Sequence, residues 1–213
     1  MAYEYRLLTA EEALRALKME AASDPLTEQI NDALDAASVE IQNYLGRDVL
    51  KVSRIEYHTR PRFEPDVLWV KHWPIGTVTE VAEDADRVWG ATSVLTAGTD
   101  YQINTLGDET TEIQRLSGGA PSTWSAGFEA VKVTFTGGWL VADIPKSIKS
   151  VCGEYMARLY HAAIDQEHAF ESIADARGAV KTYGPLGLLG PQRKRIANYR
   201  GFSSSCVRWE LVT

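Results

Sequence analysis

The side chains most capable of catalysis in this chain are histidines, cysteines and serines, and their spacing does not match a catalytic motif. His161 and His168 stand seven residues apart, close to acidic residues. Positions i and i+7 share a helix face only loosely, and the sequence contains no HExxH or ExxH pattern around them. We therefore interpret both histidines as exposed residues late in a helix, where the helix dipole favours positive charge.

The cysteines, serines and paired glycines also lack the context that chemistry requires. Cys152 and Cys206 are too far apart in sequence to build a zinc site or to predict a disulfide framework. Cys152 falls within a predicted helix with no basic neighbour to lower its pKa, so we interpret it as an inert core thiol. Gly137-Gly138 lacks the spacing of a phosphate-binding loop, and Ser203–Ser205 lacks the strand–turn–helix context of a nucleophile. The sequence therefore predicts no enzyme, no cofactor and no metal site.

Charge is distributed unevenly along the chain. The net charge is −7, yet the segment Gly178–Thr213 has an excess of basic residues. Its basic residues are Lys181, Arg193, Lys194, Arg195, Arg200 and Arg208. An acidic body disfavours adsorption to nucleic acid or to an anionic membrane, whereas a basic tail suits an acidic partner or a phosphate backbone. The alternative is that these are ordinary solvated side chains.

Neither a membrane span nor a signal peptide is predicted. No apolar run approaches the roughly 20 residues that a membrane helix needs. The first residues lack the basic and apolar regions of a secretory signal. We therefore expect the chain to fold in the cytoplasm.

Three helices are predicted from their end signals and their apolar spacing. Thr9 to Glu12 forms a capping box, which predicts a helix to about Met19. A second helix is predicted from Asp24-Pro25 to Leu45, followed by Gly46 in the left-handed position. A third is predicted from Pro145 to about Gln166, because proline suits the first position of a helix.

Between the second and third helices the pattern changes to short alternating segments. The predicted strands are Val49–His58, Val67–Val70, Thr77–Glu83, Tyr101–Asn104, Glu112–Leu116 and Val131–Thr136. We predict an α+β fold with a mostly helical body, made of the N-terminal helix pair and the long third helix. A small antiparallel β-sheet and an extended C-terminal arm complete this prediction.

The last part of the chain is predicted to be separate from the body. Ala179–Pro191 is rich in glycine and proline, and therefore is not one regular element. A short basic helix is predicted at Gln192–Tyr199 and a strand at Val207–Val212. Because this part has too few apolar residues for its own core, we divide the chain into a body, residues 1–177, and an arm, residues 178–213.

Tryptophan is frequent in this chain and is common in subunit contacts. We interpret Trp69 and Trp139 as core residues. Trp89, Trp124 and Trp209 lie in predicted loops or in the tail, where a contact with another subunit or another protein is favoured.

The order of these segments resembles the head–tail connector (adaptor) proteins of long-tailed bacteriophages and gene transfer agents. The matching segments are Leu8–Ala13, Tyr44–Arg47, Leu68–Val81, Tyr101, Val131–Gly138 and Ile144-Pro145 with the helix to Tyr160. They cover roughly residues 7–165, and they are structural motifs without catalytic residues.

The resemblance implies a homo-oligomeric ring, twelve-fold in symmetry, in the neck of a virion assembled in the bacterial cytoplasm. Such a ring docks beneath the portal protein, extends the DNA channel and receives the next neck or tail component. An acidic channel wall would let double-stranded DNA pass without sequence-specific binding, because phosphates are not trapped by Lys or Arg. No membrane partner is implied.

By the same resemblance, the arm is the segment that binds the portal. The candidate portal contacts are Lys181, Arg193, Lys194, Arg195, Arg200 and Trp209, and the candidate subunit contacts are Trp89 and Trp124. Two alternatives stay open. One is a head-closure or tail-terminator protein, against which the three helices argue. The other is a hydrolase or metal enzyme of DNA packaging, which the lack of a catalytic cluster argues against.

Overall fold

The computed structural model describes residues 5–21, 23–60, 66–106, 109–164, 172–174, 180–182, 187–200 and 207–211. It divides the chain into two compact units. The first unit comprises Met1–Gly46 and Val141–Arg200, and the second comprises Arg47–Leu140 and Gly201–Thr213. The predicted boundary between residues 177 and 178 lies outside the described residues and stays a prediction.

The first unit is largely helical in its described part. Its helices are α1 (Ala10–Ala16), α2 (Asp24–Leu45), α3 (Lys146–Ile164) and α4 (Gly190–Ile196), the last continued by a 3-10 turn at Ala197–Tyr199. The strands among the described residues of both units are β1 (Val52–Arg60), β2 (Val67–Trp69), β3 (Ile75–Glu83), β4 (Tyr101–Leu106), β5 (Glu109–Ser117), β6 (Ala120–Pro121), β7 (Gly127–Gly137), β8 (Ser172–Ala174), β9 (Val180–Thr182) and β10 (Val207–Leu211). Of these, β8 and β9 pair with each other in the first unit.

The helix ends follow the local signals in the sequence. The Glu12 amide donates to the Thr9 hydroxyl at 3.2 Å, and the Thr9 amide donates to the Glu12 carboxylate at 2.9 Å, as a capping box requires. Helix α2 ends at Gly46, whose φ of 67° is unfavourable for other residues. The predicted capping box and C-cap are therefore confirmed.

The core of the first unit lies mainly between α2 and α3. The side chains of Leu34, Ile41 and Ile148 are fully buried there, with Cys152 beside Ser38 at 3.9 Å. Helix α4 adds to this core, because Ile196 is fully buried and α4 contacts α3.

The second unit contains two antiparallel sheets among its described residues. One has the strand order β10-β1-β7-β3, and the other has the order β2-β5-β4 with β6 paired to β5. In β7 the buried residues Val131, Val133 and Phe135 alternate with half-buried ones. This period of two matches the sequence pattern and places one face of the strand in the core.

Gly137-Gly138 ends β7 where three backbone segments meet. A Cβ at Gly137 would overlap the carbonyl oxygen of His72. A Cβ at Gly138 would lie 2.5 Å from the carbonyl oxygen of Leu50, and Gly138 has a φ of 102°. The two glycines are therefore required by close backbone approach as well as by the turn.

The prediction of a mostly helical body is wrong, because the strands are longer than their apolar alternation indicates. Strand β7 starts at Gly127 rather than Val131, and β5 starts at Glu109 rather than Glu112. The extension of β5, Glu109 to Thr111, is polar, because backbone hydrogen bonds to a neighbouring strand satisfy its peptide groups without apolar side chains. The fold is a mixed α+β fold.

The prediction of an extended C-terminal arm is also wrong for the described residues. Strand β10 pairs with β1, with Leu211 opposite Arg54 and Val207 opposite His58. Helix α4 is held on its own unit by Ile196. A segment too poor in apolar residues to form its own core has thus joined cores formed by the rest of the chain.

The two tryptophans expected in the core differ from each other. Trp139 is 8% exposed, as predicted, and packs edge-on against Trp73 with ring centroids 5.3 Å apart. Trp69 is 37% exposed, so its assignment to the core is wrong. It lies on the outer face of β2, where alternation along a three-residue strand is too short to indicate the buried side.

Candidate docking surface

Two arginines of the C-terminal segment flank one tyrosine of α2. The hydroxyl of Tyr44 donates to the carbonyl oxygen of Arg193 at 3.1 Å. The guanidinium carbons of Arg193 and Arg200 lie 5.8 Å and 5.5 Å from the centroid of the Tyr44 ring. Cations at this distance are attracted by the ring, so the tyrosine fixes two positive charges at the surface.

These arginines and their neighbour Lys194 have no carboxylate partner within the described residues. Arg193, Lys194 and Arg200 are all exposed. The described ion pairs do not include any of them. We call Tyr44, Arg193, Lys194 and Arg200 the Tyr44 surface. Its positive charge is available to an external acidic partner.

Arg195 is engaged within its own unit. Its Nη1 lies 2.7 Å from Oε1 of Glu154, and its Nη2 donates to Ser150 Oγ at 2.7 Å. Burial raises the pKa of Glu154, but the hydrogen bonds from Arg195 and Ser150 outweigh it and lower that pKa. Exposed ion pairs of this kind contribute about 0–1 kcal/mol, so Arg195 serves mainly to orient α4 on α3.

The other candidate portal contacts lie elsewhere in the chain. Lys181 is in β9, opposite Ile173 of β8. Trp209 is in β10, opposite Glu56 of β1, and so belongs to the second unit. Their side chains are outside the described part, and their contact with a portal stays a prediction.

The candidate subunit contacts have different surroundings. Trp89 is half-buried, with its ring centroid 5.9 Å from that of Tyr57. Trp124 is 6% exposed, and the guanidinium of Arg115 lies 5.8 Å from its ring. Trp124 therefore packs inside its own unit, while Trp89 reaches the surface. The subunit contact stays a prediction for both.

A buried cluster of charged residues in the second unit was missed by the sequence analysis. The carboxylate of fully buried Glu56 accepts hydrogen bonds from the amides of Lys71 and His72, both at 3.0 Å. Nδ1 of His72 lies 2.8 Å from the same carboxylate, and Nε2 of His58 lies 3.3 Å from it. The sequence signal for this cluster is the spacing of Arg54, Glu56 and His58, which stand two residues apart and so lie on the same face of β1.

The cluster attaches the connection between β2 and β3, which contains Lys71 and His72, to Glu56 of β1. Burial raises the pKa of Glu56, but its interactions with His58 and His72 outweigh it and keep that pKa well below its usual range. Burial lowers the pKa of His72 despite its hydrogen bond to Glu56. Because Glu56 and His72 are fully buried, a substrate has no access to them, and we interpret the cluster as structural.

Arg47, one of the residues that carry the family resemblance, is buried and packs against two tryptophan rings. Its guanidinium carbon lies 3.9 Å from the ring of Trp73 and 4.7 Å from that of Trp139. Its Nη1 donates to the carbonyl oxygen of Trp73. The residue is 4% exposed, so a charge in the core is stabilised by two aromatic faces and a backbone acceptor.

The described residues offer no constellation for catalysis. They contain no group of three or more His, Cys, Asp or Glu side chains that could hold a metal ion. Burial raises the pKa of Cys152 to about 12, so this thiol is inert. His168, Cys206 and Ser203–Ser205 lie outside the described residues. Within the described helices, none combines the length and the apolar composition of a membrane span.

Comparison with known proteins gives matches among solved structures. No family model and no curated protein matches this chain. A chain of the neck of a native GTA particle, computed with C12 symmetry, is 15% identical, with a TM-score of 0.47 over 90% of this chain and 89% of that one. A chain of the neck of an empty GTA particle, computed with C6 symmetry, is 17% identical, with a TM-score of 0.48 over 93% and 91%.

A chain of the virion of a native gene transfer agent particle is 16% identical, with a TM-score of 0.49 over 92% of this chain and 89% of that one. All three come from gene transfer agent particles.

Proposed function

We propose that this chain is a structural head–tail adaptor of a tailed phage or phage-like particle. It forms a ring of twelve copies beneath the portal, extends the DNA channel, and joins the next neck or tail component. The observation that carries the proposal is the Tyr44 surface, where three cations without a carboxylate partner in the described residues stand on an acidic chain. The family resemblance of the sequence supplies the partner, which is the portal.

The physical reason for docking at the Tyr44 surface is charge complementarity. Arg193 and Arg200 are held against Tyr44, so they lose less conformational freedom on binding than free side chains do. Opposite charges across an interface also accelerate association and fix its register. An acidic surface on the portal therefore fits this site.

Charge reversal tests this docking. We expect the triple variant Arg193→Glu, Lys194→Glu, Arg200→Glu to bind purified portal at least tenfold more weakly at low salt. The difference should shrink at high salt, because screening reduces the wild-type attraction. Binding is measured by sedimentation of the mixed proteins over a salt series.

A matched control changes three exposed cations away from the Tyr44 surface. Arg15, Lys18 and Lys51 are exposed, and their replacement by Glu produces the same change in net charge. This control should bind the portal as the wild type does. Equal binding by the Tyr44-surface variant and the wild type would contradict the docking proposal.

The ring is tested separately by electron microscopy of the protein, alone and with portal. Rings in either sample agree with the proposal. A protein that stays monomeric in both samples is incompatible with an adaptor.

A head-closure or tail-terminator role is the second candidate, and the sheets favour it. Those neck proteins are generally richer in β-structure, and the second unit has more strands than we expected. The two roles differ in their partner. An adaptor binds the isolated portal, so a protein that forms rings without binding portal would favour the head-closure or tail-terminator role.

A further inference from the structure

One corner of the second unit has an unusual backbone. The residues Arg87, Trp89 and Glu129 have φ values of 61°, 53° and 50°. Positive φ is unfavourable for residues other than glycine, and persists only where the surrounding structure enforces it.

Hydrogen bonds to Asp84 hold the turn that contains Arg87 and Trp89, and the amide of Glu129 donates separately to Thr59 at 3.0 Å. The carboxylate of Asp84 accepts from the amides of Asp86, Arg87 and Trp89 at 2.9–3.1 Å, and from the Ser93 hydroxyl at 2.9 Å. The bond from Ser93 and those from the amides lower the pKa of Asp84. The turn is therefore held rigid by a carboxylate that points into it.

The rigid turn exposes two large apolar side chains. Val88 is 77% exposed and Phe128 is 63% exposed. The guanidinium carbon of Arg87 lies 5.3 Å from the ring of Phe128, and Arg87 has no ion pair within the described residues. We call Arg87, Val88 and Phe128 the Arg87 surface. It is preorganised, apolar and carries one cation without a carboxylate partner in the described part of the chain.

The second sheet of the same unit offers the complementary chemistry. Trp69, which is 37% exposed, is opposite Glu112 in the β2–β5 pair. Oε1 of Glu112 accepts from Asn104 at 3.0 Å, and Oδ2 of Asp66 accepts from Gln114 at 2.7 Å.

Neither carboxylate has a cationic partner within the described residues. We call Trp69, Glu112 and Asp66 the Trp69 face. It combines an exposed aromatic ring with two carboxylates that lack a counter-charge in that same described part.

We propose that the Arg87 surface of one copy docks on the Trp69 face of the next copy. Arginine can stack on tryptophan while pairing with a carboxylate, and Trp, Phe and Arg are enriched in interface cores. A contact between two different surfaces of identical chains is heterologous, and it closes into a ring when the rotation permits. The inference therefore rests on the proposed ring, and adds the contact that builds it.

Charge reversal on each side gives a test with an internal rescue. Arg87→Glu alone and Glu112→Lys alone place like charges across every contact, so we expect each variant to lose ring assembly at a concentration where the wild type assembles. In an equal mixture, copies of the two variants can alternate around the ring. Each contact then pairs position 87 of one copy with position 112 of the next, and the two positions are either both substituted or both wild type. Every contact therefore joins opposite charges. We expect the mixture to recover rings, observed by sedimentation velocity and electron microscopy.

Controls exclude misfolding and general charge effects. Lys51→Glu and Glu28→Lys change exposed residues outside both surfaces, and each should assemble as the wild type does. Asp86 is exposed beside Arg87 and opposes its charge, so Asp86→Asn should strengthen assembly. Thermal unfolding of each variant confirms that it is folded.

The outcomes separate this inference from the proposed function. Rings of unchanged stability for either single variant, or a mixture that stays monomeric while the wild type forms rings, would overturn the contact and leave the adaptor role standing. A wild type that is monomeric with and without portal overturns both.

Discussion

Glu56 shows at the scale of one residue how this chain keeps a charge in its interior. The carboxylate is fully buried, but two backbone amides and two histidines surround it. A buried ion is costly unless its remaining lone pairs are satisfied, and removing one partner leaves that cost uncompensated. We therefore expect the cluster to determine how the second unit responds to acid.

Stability of the second unit should fall as the pH falls. The folded pKa of Glu56 is below its ordinary value of 4.5, so its contribution is present above pH 4.5 and is lost at lower pH. The folded pKa of His72 is below 6.5, so beneath that pH the unfolded chain takes up a proton that the folded chain refuses. Both effects destabilise the fold on acidification.

Glu56→Gln tests this explanation by thermal unfolding over a pH series. We expect it to cost about 3 kcal/mol at neutral pH and to reduce the fall in stability at acidic pH. The exposed change Glu28→Gln should keep the wild-type pH dependence. If Glu56→Gln also keeps it, the acid response originates elsewhere.

Gly138 gives a second prediction at this scale. Gly138→Ala places a Cβ 2.5 Å from the Leu50 carbonyl at a φ of 102°, and we expect a loss of about 4 kcal/mol. Gly98→Ala is the matched control, since Gly98 has a φ of 80° and nothing within 4 Å of its Cβ position. It should cost about 1 kcal/mol. Equal losses in thermal unfolding would show that backbone overlap is unimportant.

At the scale of elements, α4 links stability to docking. Ile196 is fully buried and anchors α4, whereas Leu189 is 36% exposed. Ile196→Ala should cost about 2–4 kcal/mol by leaving a cavity. We also expect weaker portal binding without any change in charge, because Arg193 and Arg200 lose their position beside Tyr44. Leu189→Ala should leave both the stability and the portal binding unchanged. If Ile196→Ala is destabilised but binds the portal normally, the position of α4 does not affect docking.

Strand β10 gives a prediction about its sheet. A chain ending at Arg200 keeps the Tyr44 surface but lacks β10, so the edge of β1 is left unpaired. Hydrogen exchange should become faster in β1, from Val52 to Arg60, and stay slow in α2 and α3. Unchanged protection of β1 would mean that β10 contributes little to the sheet.

The elements that the sequence predicts well are those with local signals. Thr9, Glu12 and Gly46 determine helix ends through bonds within a few residues, so the start of α1 and the end of α2 could be placed accurately. The end of α1 could not, since the helix stops at Ala16 and not at about Met19. The start of β7 could not, because Glu129 adopts positive φ where its amide donates to Thr59, far away in sequence.

The residues of the candidate docking surface also divide into those with a local sequence signal and those positioned by distant contacts. Arg193, Lys194 and Arg200 could be named as candidates from charge alone, whereas Tyr44 could not, since only folding brings it to them. The burial of Glu56 also depends on the distant His72, which no local pattern indicates. Long-range contacts account for most of what the sequence analysis missed.

At the scale of the whole molecule, the distribution of charge predicts binding to an acidic portal surface and no binding to double-stranded DNA. The chain has a net charge of −7, and its Tyr44 surface concentrates positive charge. We expect no measurable binding to double-stranded DNA at physiological salt, because few phosphates would be neutralised and few counterions released. A gel-shift assay checks this, and tight salt-dependent DNA binding would contradict a channel through which DNA slides.

The pairing of β10 with β1 has a consequence for biosynthesis. Arg54 and Leu211 are opposite each other, although they are far apart along the chain, and such distant pairings form slowly. During translation, β1 leaves the ribosome long before β10 exists. Its edge must then stay unpaired, and exposed edges invite association with other nascent chains. The sheet is completed only after the ribosome has made β10, so products ended before Val207 would lack its closing strand.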